Sequence, residues 1–210
     1  IESAGNATDF GNLTVARVDV GGASGLNGTR ALFAGGSDKN EIDFVTIATT
    51  GNATDFGDLT ATTTGPGGVS TSSKAVFIGG ASTNICSVQM ASTGNAVDFR
   101  DMTATLIKTV GVCDSHGGLN YSNIQRPSVT YMPGSGRIIS NGGNAPHGGT
   151  IEYTNISTLG NGIDFGDSAG GATRAYCAAT SNMTRAMFMG GDTPSKTNLV
   201  DAVEIASRGN

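Results

Sequence analysis

The chain has 210 residues, a net charge of −5, 14% charged residues and 33 glycines. Its length allows one large domain or two small ones. No Lys/Arg cluster is present, which argues against a nucleic-acid partner because phosphate neutralisation needs a basic stripe. The apolar runs, about five residues at most, are far too short for a membrane span.

From the N-terminus onward, one phrase returns: GNATDFGNL from Gly5, GNATDFGDL from Gly51, GNAVDFRDM from Gly94 and GNGIDFGDS from Gly160, with a further Gly-Asn at Gly209. The spacings are 46, 43, 66 and 49 residues. Repeats of about 40–50 residues carrying strands and turns are the signature of propeller blades. No unit of that size buries its apolar face alone, so the repeats predict a single domain over 1–210. The approximate repeats are 1–46, 47–89, 90–155 and 156–204, and 205–210 starts or closes a further one. Ile1–Asn6 occupies the same columns as Ile205–Asn210. The chain is therefore either a segment of a longer array or a ring whose last strand pairs beside the first blade, removing exposed edges.

Within each repeat the phrase carries Asp9, Asp55, Asp98 or Asp164, which predicts a turn capped by side-chain-to-backbone hydrogen bonds. Phe10, Phe56, Phe99 and Phe165 follow as apolar anchors between blades, expected to be largely buried. The next segment, such as Leu13–Arg17, starts a blade. Then come RALFAGG from Arg30, KAVFIGG from Lys74, RIISNGG from Arg137 and RAMFMGG from Arg185. Continuous apolarity in these runs predicts an inner strand covered on both sides. It ends at Gly35-Gly36, Gly79-Gly80, Gly142-Gly143 and Gly190-Gly191, where the backbone turns without a Cβ penalty. The last strand of each repeat alternates. Val45, Val88, Thr154 and Val203 share one column, and Ile47, Met90, Ile156 and Ile205 another. Thr46, Gln89, Asn155 and Glu204 lie between them. Period-two alternation predicts an outer or half-exposed antiparallel strand.

The chemistry-bearing residues are few. Asp-Phe-Gly at Asp55 and Asp164 lacks every companion motif of a kinase and recurs as a repeat element. Asp55 with Asp58 and Asp98 with Asp101 are spaced for turn capping, or for Ca²⁺ held with loop carbonyls. No other cofactor is expected. Arg30, Lys74, Arg137 and Arg185 place one cation at the same point of each blade. They either attract an anionic ligand at one mouth or pair locally. Cys86, Cys113 and Cys177 have no ligand spacing and are expected to be buried small hydrophobes or, for two of them, a cross-blade disulfide. Seven Asn-x-Ser/Thr sequons follow the Asn/Thr/Ser richness of the repeats.

The third repeat is longer by about 20 residues, concentrated in Cys113–Pro133. Long loops on rigid scaffolds are where recognition sits. Asp114, His116, Tyr121 and Arg126 are the candidate ligand-binding residues, suited to sugar hydroxyls, sugar faces or a protein partner. A Cys113/His116/His147 metal set and a hydrolytic arrangement on His116 lack diagnostic spacing and context.

A Gly-Gly strand, an alternating strand, and a bulky aromatic followed by leucine resemble kelch-type repeats over nearly the whole chain. Phe stands where those repeats usually carry Trp. The wording TIATTGNATDFGDLT also resembles repeats in structural proteins of tailed bacteriophages, particularly fibre proteins. The resemblance implies an all-β, kelch-like β-propeller of about four blades, as a closed ring or a segment of a longer array. It implies a non-enzymatic virion-surface or tail-fibre module, a rigid scaffold for host-glycan attachment. Its partners would be other virion or surface proteins in an oligomer, with no membrane insertion and a virion or extracellular location. The alternatives are a secreted or cell-surface bacterial kelch-like carbohydrate-binding protein and a galactose-oxidase-like enzyme, for which no copper constellation is evident.

Overall fold

The computed structural model describes residues 6–113, 136–141, 143, 149–156, 160–169, 174–182, 184–193 and 195–205. Their strands are arranged as four antiparallel blades. Blade 1 is β1 (Gly21–Gly25), β2 (Arg30–Ala34), β3 (Lys39–Thr46) and β4 (Thr54–Thr63). Blade 2 is β5 (Gly67–Ser70), β6 (Lys74–Ile78), β7 (Ser82–Gln89) and β8 (Val97–Leu106). Blade 3 is β9 (Val110–Cys113), β10 (Arg137–Asn141), β11 (Thr150–Asn155) and β12 (Ile163–Asp167). Blade 4 contains β13 (Ala178–Ser181), β14 (Arg185–Met189) and, after the small hairpin β15 (Asp192–Thr193) and β16 (Ser195–Lys196), β17 (Val200–Glu204). Blade and repeat are out of phase, because each outer strand is supplied by the start of the next repeat.

The Gly-Gly runs form the second strand of each blade. Leu32, Phe77, Ile138 and Phe188 are fully or almost fully buried. β6 and β10 meet blades on both sides, which is why their apolar runs do not alternate, whereas β2 and β14 each meet one blade among the described residues. Three apolar clusters join consecutive blades. Leu32, Ile42 and Phe56 of blade 1 pack on Phe77 and Val88 of blade 2. Ile85, Phe99 and Met102 pack on Ile138 and Ile156 of blade 3. Ile139, Ile151 and Phe165 pack on Phe188 and Ile205 of blade 4. Each large side chain so buried contributes about 1.5–3 kcal/mol.

Two sequence expectations change here. The alternating segments are the third strands, not outer ones; β17 alternates from Val200 to Glu204, whereas in β7 the alternation holds only at the end. Gln89 is exposed, whereas Ile85–Val88 of β7 are buried on both faces. The outer strand is the Asp-Phe segment itself. It is not a turn: Asp55 and Phe56 lie in β4, Asp98 and Phe99 in β8, Asp164 and Phe165 in β12.

The Asp-Phe segment nevertheless contains a local irregularity. In blade 1, Ile42 pairs with Gly57 and Asp43 with Asp55, leaving Phe56 as the extra residue. The same shift leaves Phe99 extra in blade 2 and Phe165 in blade 3. A β-bulge re-aims the unpaired side chain, and all three rings are buried, at 2%, 8% and 3% exposure. Asp55 supports the bulge by accepting the Gly57 amide at 3.1 Å, as Asp9 accepts that of Gly11. Phe10 departs from the expected burial at 38% exposure. It is covered by blade 1 only, because residues 6–14 belong to no sheet among the described residues.

The paired motifs meet between blades. Gly94 donates its amide to the Phe56 carbonyl at 2.7 Å, and Ala96 donates to that of Asp58 at 2.7 Å. The Asn95 side-chain oxygen accepts the Asp58 amide at 3.1 Å. Gly51, Ala53 and Asn52 repeat these three bonds with Phe10 and Asn12, at 2.8, 2.8 and 3.0 Å. Gly57 has φ +144°, and a Cβ on it would lie 2.5 Å from the Gly94 carbonyl oxygen. Glycine is thus demanded twice, by conformation and by contact. The Gly-Asn phrase is a rim joint that pins the outer strands of blades 1 and 2 to the next blade, and residues 10–12 to blade 1.

Candidate functional site

The first strands β1, β5, β9 and β13 line a central channel holding a cavity of about 320 Å³. They approach closely because they are rich in glycine; a Cβ on Gly68 would sit 2.2 Å from the Gly22 carbonyl oxygen. One column, Ser24, Ser70, Cys113 and Ser181, links the strands in sequence. Ser70 Oγ donates to the Ser24 carbonyl at 2.5 Å, Cys113 Sγ to that of Ser70 at 3.2 Å, and Ser181 Oγ to that of Cys113 at 2.7 Å. Thr180 and Asn182 add a further hydroxyl and an amide, and Ala23, Val69 and Val112 supply the apolar part of the lining.

The inserted loop of the third repeat connects β9 to β10, so it leaves the sheet at Cys113, a residue that lines the cavity. Asp114, His116, Tyr121 and Arg126 lie outside the described residues, as do His147 and Gly142. The other glycines of the Gly-Gly pairs adopt positive φ, from +64° at Gly35 to +131° at Gly143.

The opposite mouth carries a feature that sequence reading missed. Asp19, Gly65, Lys108 and Tyr176 occupy one column just before the first strands, and all are left-handed, with φ of +57°, +68°, +58° and +61°. Three of the four are side-chain-bearing residues in a conformation that costs them energy. Lys108 Nζ lies 3.2 Å from Asp19 Oδ2, donates to the Tyr176 hydroxyl at 2.7 Å, and sits 4.1 Å from that ring's centre. The Tyr176 hydrogen bond, followed by Asp19, raises the Lys108 pKa. Lys108 therefore ties the approach to blade 1 to that of blade 4 across the mouth. Only Gly65 marks this column in the sequence, so its shared conformation is invisible there.

The cation column does occupy equivalent positions, at the starts of β2, β6, β10 and β14. Its charged heads are engaged locally. Arg30 donates to the Met90 carbonyl and Arg137 to that of Ile205, both at 2.5 Å, across to the next blade in each case. Arg30 lies over Phe44, Arg137 over Tyr153 and Lys74 over Phe99. Arg185 makes a bidentate contact with Glu204. In blade 2 the interblade role passes to Arg100, whose guanidinium reaches the Asn155 carbonyl at 2.9 Å and has its pKa lowered by burial.

Asp43, Cys86, Glu152 and Asp201 form a second buried column. Asp43 accepts the Thr14 amide and hydroxyl at 3.1 and 2.6 Å and pairs with Arg17 at 3.0 Å, both side chains fully buried. Glu152 holds Thr103, and Asp201 holds Arg174 and the Ala169 amide. Burial pushes the Cys86 thiol up to about 11. Cys86 and Glu152 face the preceding outer strand at Thr60 and Thr103, and Asp43 and Asp201 face the segments before the first strands, so the column is a structural pin. The three cysteines form no disulfide. Among the described residues no three His, Cys, Asp or Glu side chains gather to hold a metal ion, and no helix is long and apolar enough to cross a membrane. At the Asp pairs, Asp101 accepts from Thr83 Oγ1 at 3.3 Å, and Asp55 is committed to its own bulge.

No protein-family model matches the sequence, and no curated protein is significantly similar to it. Solved structures do match the fold. YjhT aligns with a TM-score of 0.68 at 10% identity, over 94% of this chain and 64% of that one. Kuenenia stuttgartiensis hydrazine synthase aligns with a TM-score of 0.59 at 11% identity, over 93% of this chain and 49% of that one. The chain thus spans about half to under two thirds of these longer propeller chains. At such identities the likeness establishes the kelch-like propeller fold and leaves the activity named for hydrazine synthase with that protein.

Proposed function

We propose that the chain is a non-enzymatic, rigid repeat module of a virion surface or tail fibre, and that it contacts a host-surface glycan at the channel mouth bearing the third-repeat insertion. The observation behind this reading is the departure of that insertion from Cys113, on the wall of the 320 Å³ channel cavity. The repeated polar residues, namely the Gly-Asn phrases, Arg30, Arg137 and the Asp43 column, are used in joints between blades. The insertion adds about 20 residues that the other repeats lack. Its sequence carries an acid, an imidazole, a phenol and a guanidinium, groups suited to sugar hydroxyls and faces. A loop carried on a stiff scaffold orders them at low entropic cost.

Replacing residues 114–135 by a short turn tests the reading. The shortened protein should keep its β-sheet circular dichroism and its cooperative melt, and lose binding to glycan arrays and host cells. Retained binding by a folded variant removes the insertion from the interaction face.

A further inference from the structure

One column of side chains sets blade 2 apart. Phe44, Ser87, Tyr153 and Ala202 hold equivalent places on the third strands, paired with Leu32, Val76, Ile139 and Met187 of the second strands. In blade 1 the Arg30 guanidinium lies 4.5 Å from the centre of the Phe44 ring, which meets Phe56 edge-on at 6.0 Å. Blade 3 repeats the stack, with Arg137 4.9 Å over Tyr153 and Tyr153 edge-on to Phe165 at 6.1 Å. In blade 2 the middle ring is absent, because Ser87 stands in its column. A cleft of about 260 Å³ opens there, lined by Lys74, Ser87, Gln89, Ser92, Thr93 and Asn95.

The column cation of blade 2 is also released from its joint. Arg30 and Arg137 each donate to a carbonyl of the next blade. In blade 2 that bond comes from Arg100, which stands where the other phrases carry Gly11, Gly57 and Gly166. Among the described residues Lys74 Nζ has neither a hydrogen bond nor a carboxylate partner. It lies 5.3 Å from the centre of the Phe99 ring, a ring that Arg100 already covers at 4.2 Å.

Blade 4 shows what the column cation does when the ring is missing. Ala202 takes the place of the aromatic, and Arg185 makes a bidentate contact with Glu204, the residue opposite it on β17. Opposite Lys74 stands Gln89, which carries no charge. Blade 2 therefore lacks both the ring and the carboxylate that satisfy this cation elsewhere.

We propose that the blade 2 cleft binds a carboxylated sugar, a uronic acid residue, at a site separate from the channel mouth. The carboxylate pairs with Lys74 as Glu204 pairs with Arg185, and the sugar ring takes the place that Phe44 and Tyr153 fill in blades 1 and 3. The hydroxyls of Ser87, Ser92 and Thr93 and the amides of Gln89 and Asn95 meet the ring hydroxyls. Val97, 63% exposed and part of the same lining, offers an apolar rest for the C–H face. The volume lies below the roughly 300–1,000 Å³ of drug-sized pockets, on the scale of one sugar residue. An aromatic acid would reach Lys74 equally well but would leave the hydroxyls and amides without partners, which is costly.

NMR titration of the nitrogen-labelled full chain with methyl glucuronide tests the site. Amide shifts should centre on Ser87–Gln89 and residues 92–97. Methyl glucoside, which lacks the charge, and benzoate, which lacks the hydroxyls, should each bind about tenfold more weakly or worse. Lys74→Met should remove binding. Ser87→Phe restores the ring of blade 1, and Gln89→Glu supplies the internal carboxylate of blade 4. Each should abolish binding with the circular dichroism spectrum unchanged. Absence of glucuronide shifts at these residues overturns the proposal, as does equal affinity for glucoside or benzoate. So does undiminished binding by the folded Ser87→Phe and Gln89→Glu variants. Shifts confined to Ser70 and Ser181 would overturn it too, and would move the sugar acid to the channel cavity.

Discussion

The Gly94 amide meets the Phe56 carbonyl at 2.7 Å, and Gly51 meets Phe10 in the same way at 2.8 Å. Two phrases that look independent in the sequence, Gly-Asn and Asp-Phe-Gly, are thus the two halves of one joint. The bulge that turns Phe56 into the core also presents its carbonyl to the next blade, so packing and joining are coupled at a single residue.

This coupling makes Gly57 the sensitive position of the phrase. Gly57→Ala places a methyl 2.5 Å from the Gly94 oxygen at a φ of +144°, and backbone strain of this kind costs about 1–3 kcal/mol before the clash is counted. Gly51→Ala meets nothing within 4 Å and should be nearly neutral. Urea unfolding of both variants checks the contrast, and equal midpoints would remove the joint from the stability of the fold.

The Phe column should divide by coverage. Phe56→Ala removes a ring that is 2% exposed and should cost about 3–5 kcal/mol. Phe10→Ala, at 38% exposure, should cost well under half as much. Denaturant midpoints at matched concentration measure both.

Asp43 neutralises Arg17 where both side chains are fully buried. Asp43→Ala leaves that guanidinium without its counter-charge, a loss of about 3–5 kcal/mol. Blade 2 carries Thr63 and Cys86 in the same two columns. The double variant Arg17→Thr/Asp43→Cys should therefore recover much of the stability lost in Asp43→Cys alone. Thermal unfolding of the single and double variants gives the coupling directly.

Cys86 links stability to alkaline pH. Burial raises its thiol pKa from 9.0 to about 11, so the folded state holds the proton more tightly than the unfolded state. The resulting stabilisation is complete below about pH 9 and is lost as pH rises through about 11, a change of about 2–3 kcal/mol. Cys86→Ser, which does not titrate in this window, should show a shallower decline between pH 8 and 11 in urea unfolding. Parallel declines would contradict the assignment.

The repeat period and the Gly-Gly runs made four blades legible, because strands covered on both faces must be apolar throughout. Asp-Phe-Gly read as a turn because its residues are turn formers. Here the same chemistry, an Asp side chain on a backbone amide and a glycine at positive φ, builds a bulge inside a strand. The left-handed column of Asp19, Lys108 and Tyr176 was hidden, since only Gly65 has the residue type that usually signals that conformation. The insertion was visible as a break in period. Its proposed contacts at Asp114, His116, Tyr121 and Arg126 fall outside the described residues.

The rim joint is made of peptide groups, one glycine and one asparagine side chain, and nothing in it distinguishes one neighbour from another. A blade duplicated or deleted whole would find the same hooks on either side, so blade number can change by recombination without any compensating substitution. The identity of residues 5–11 and 51–57 offers the aligned stretch such an exchange requires. Length becomes an adjustable dimension of the molecule, while the blade stays a fixed part.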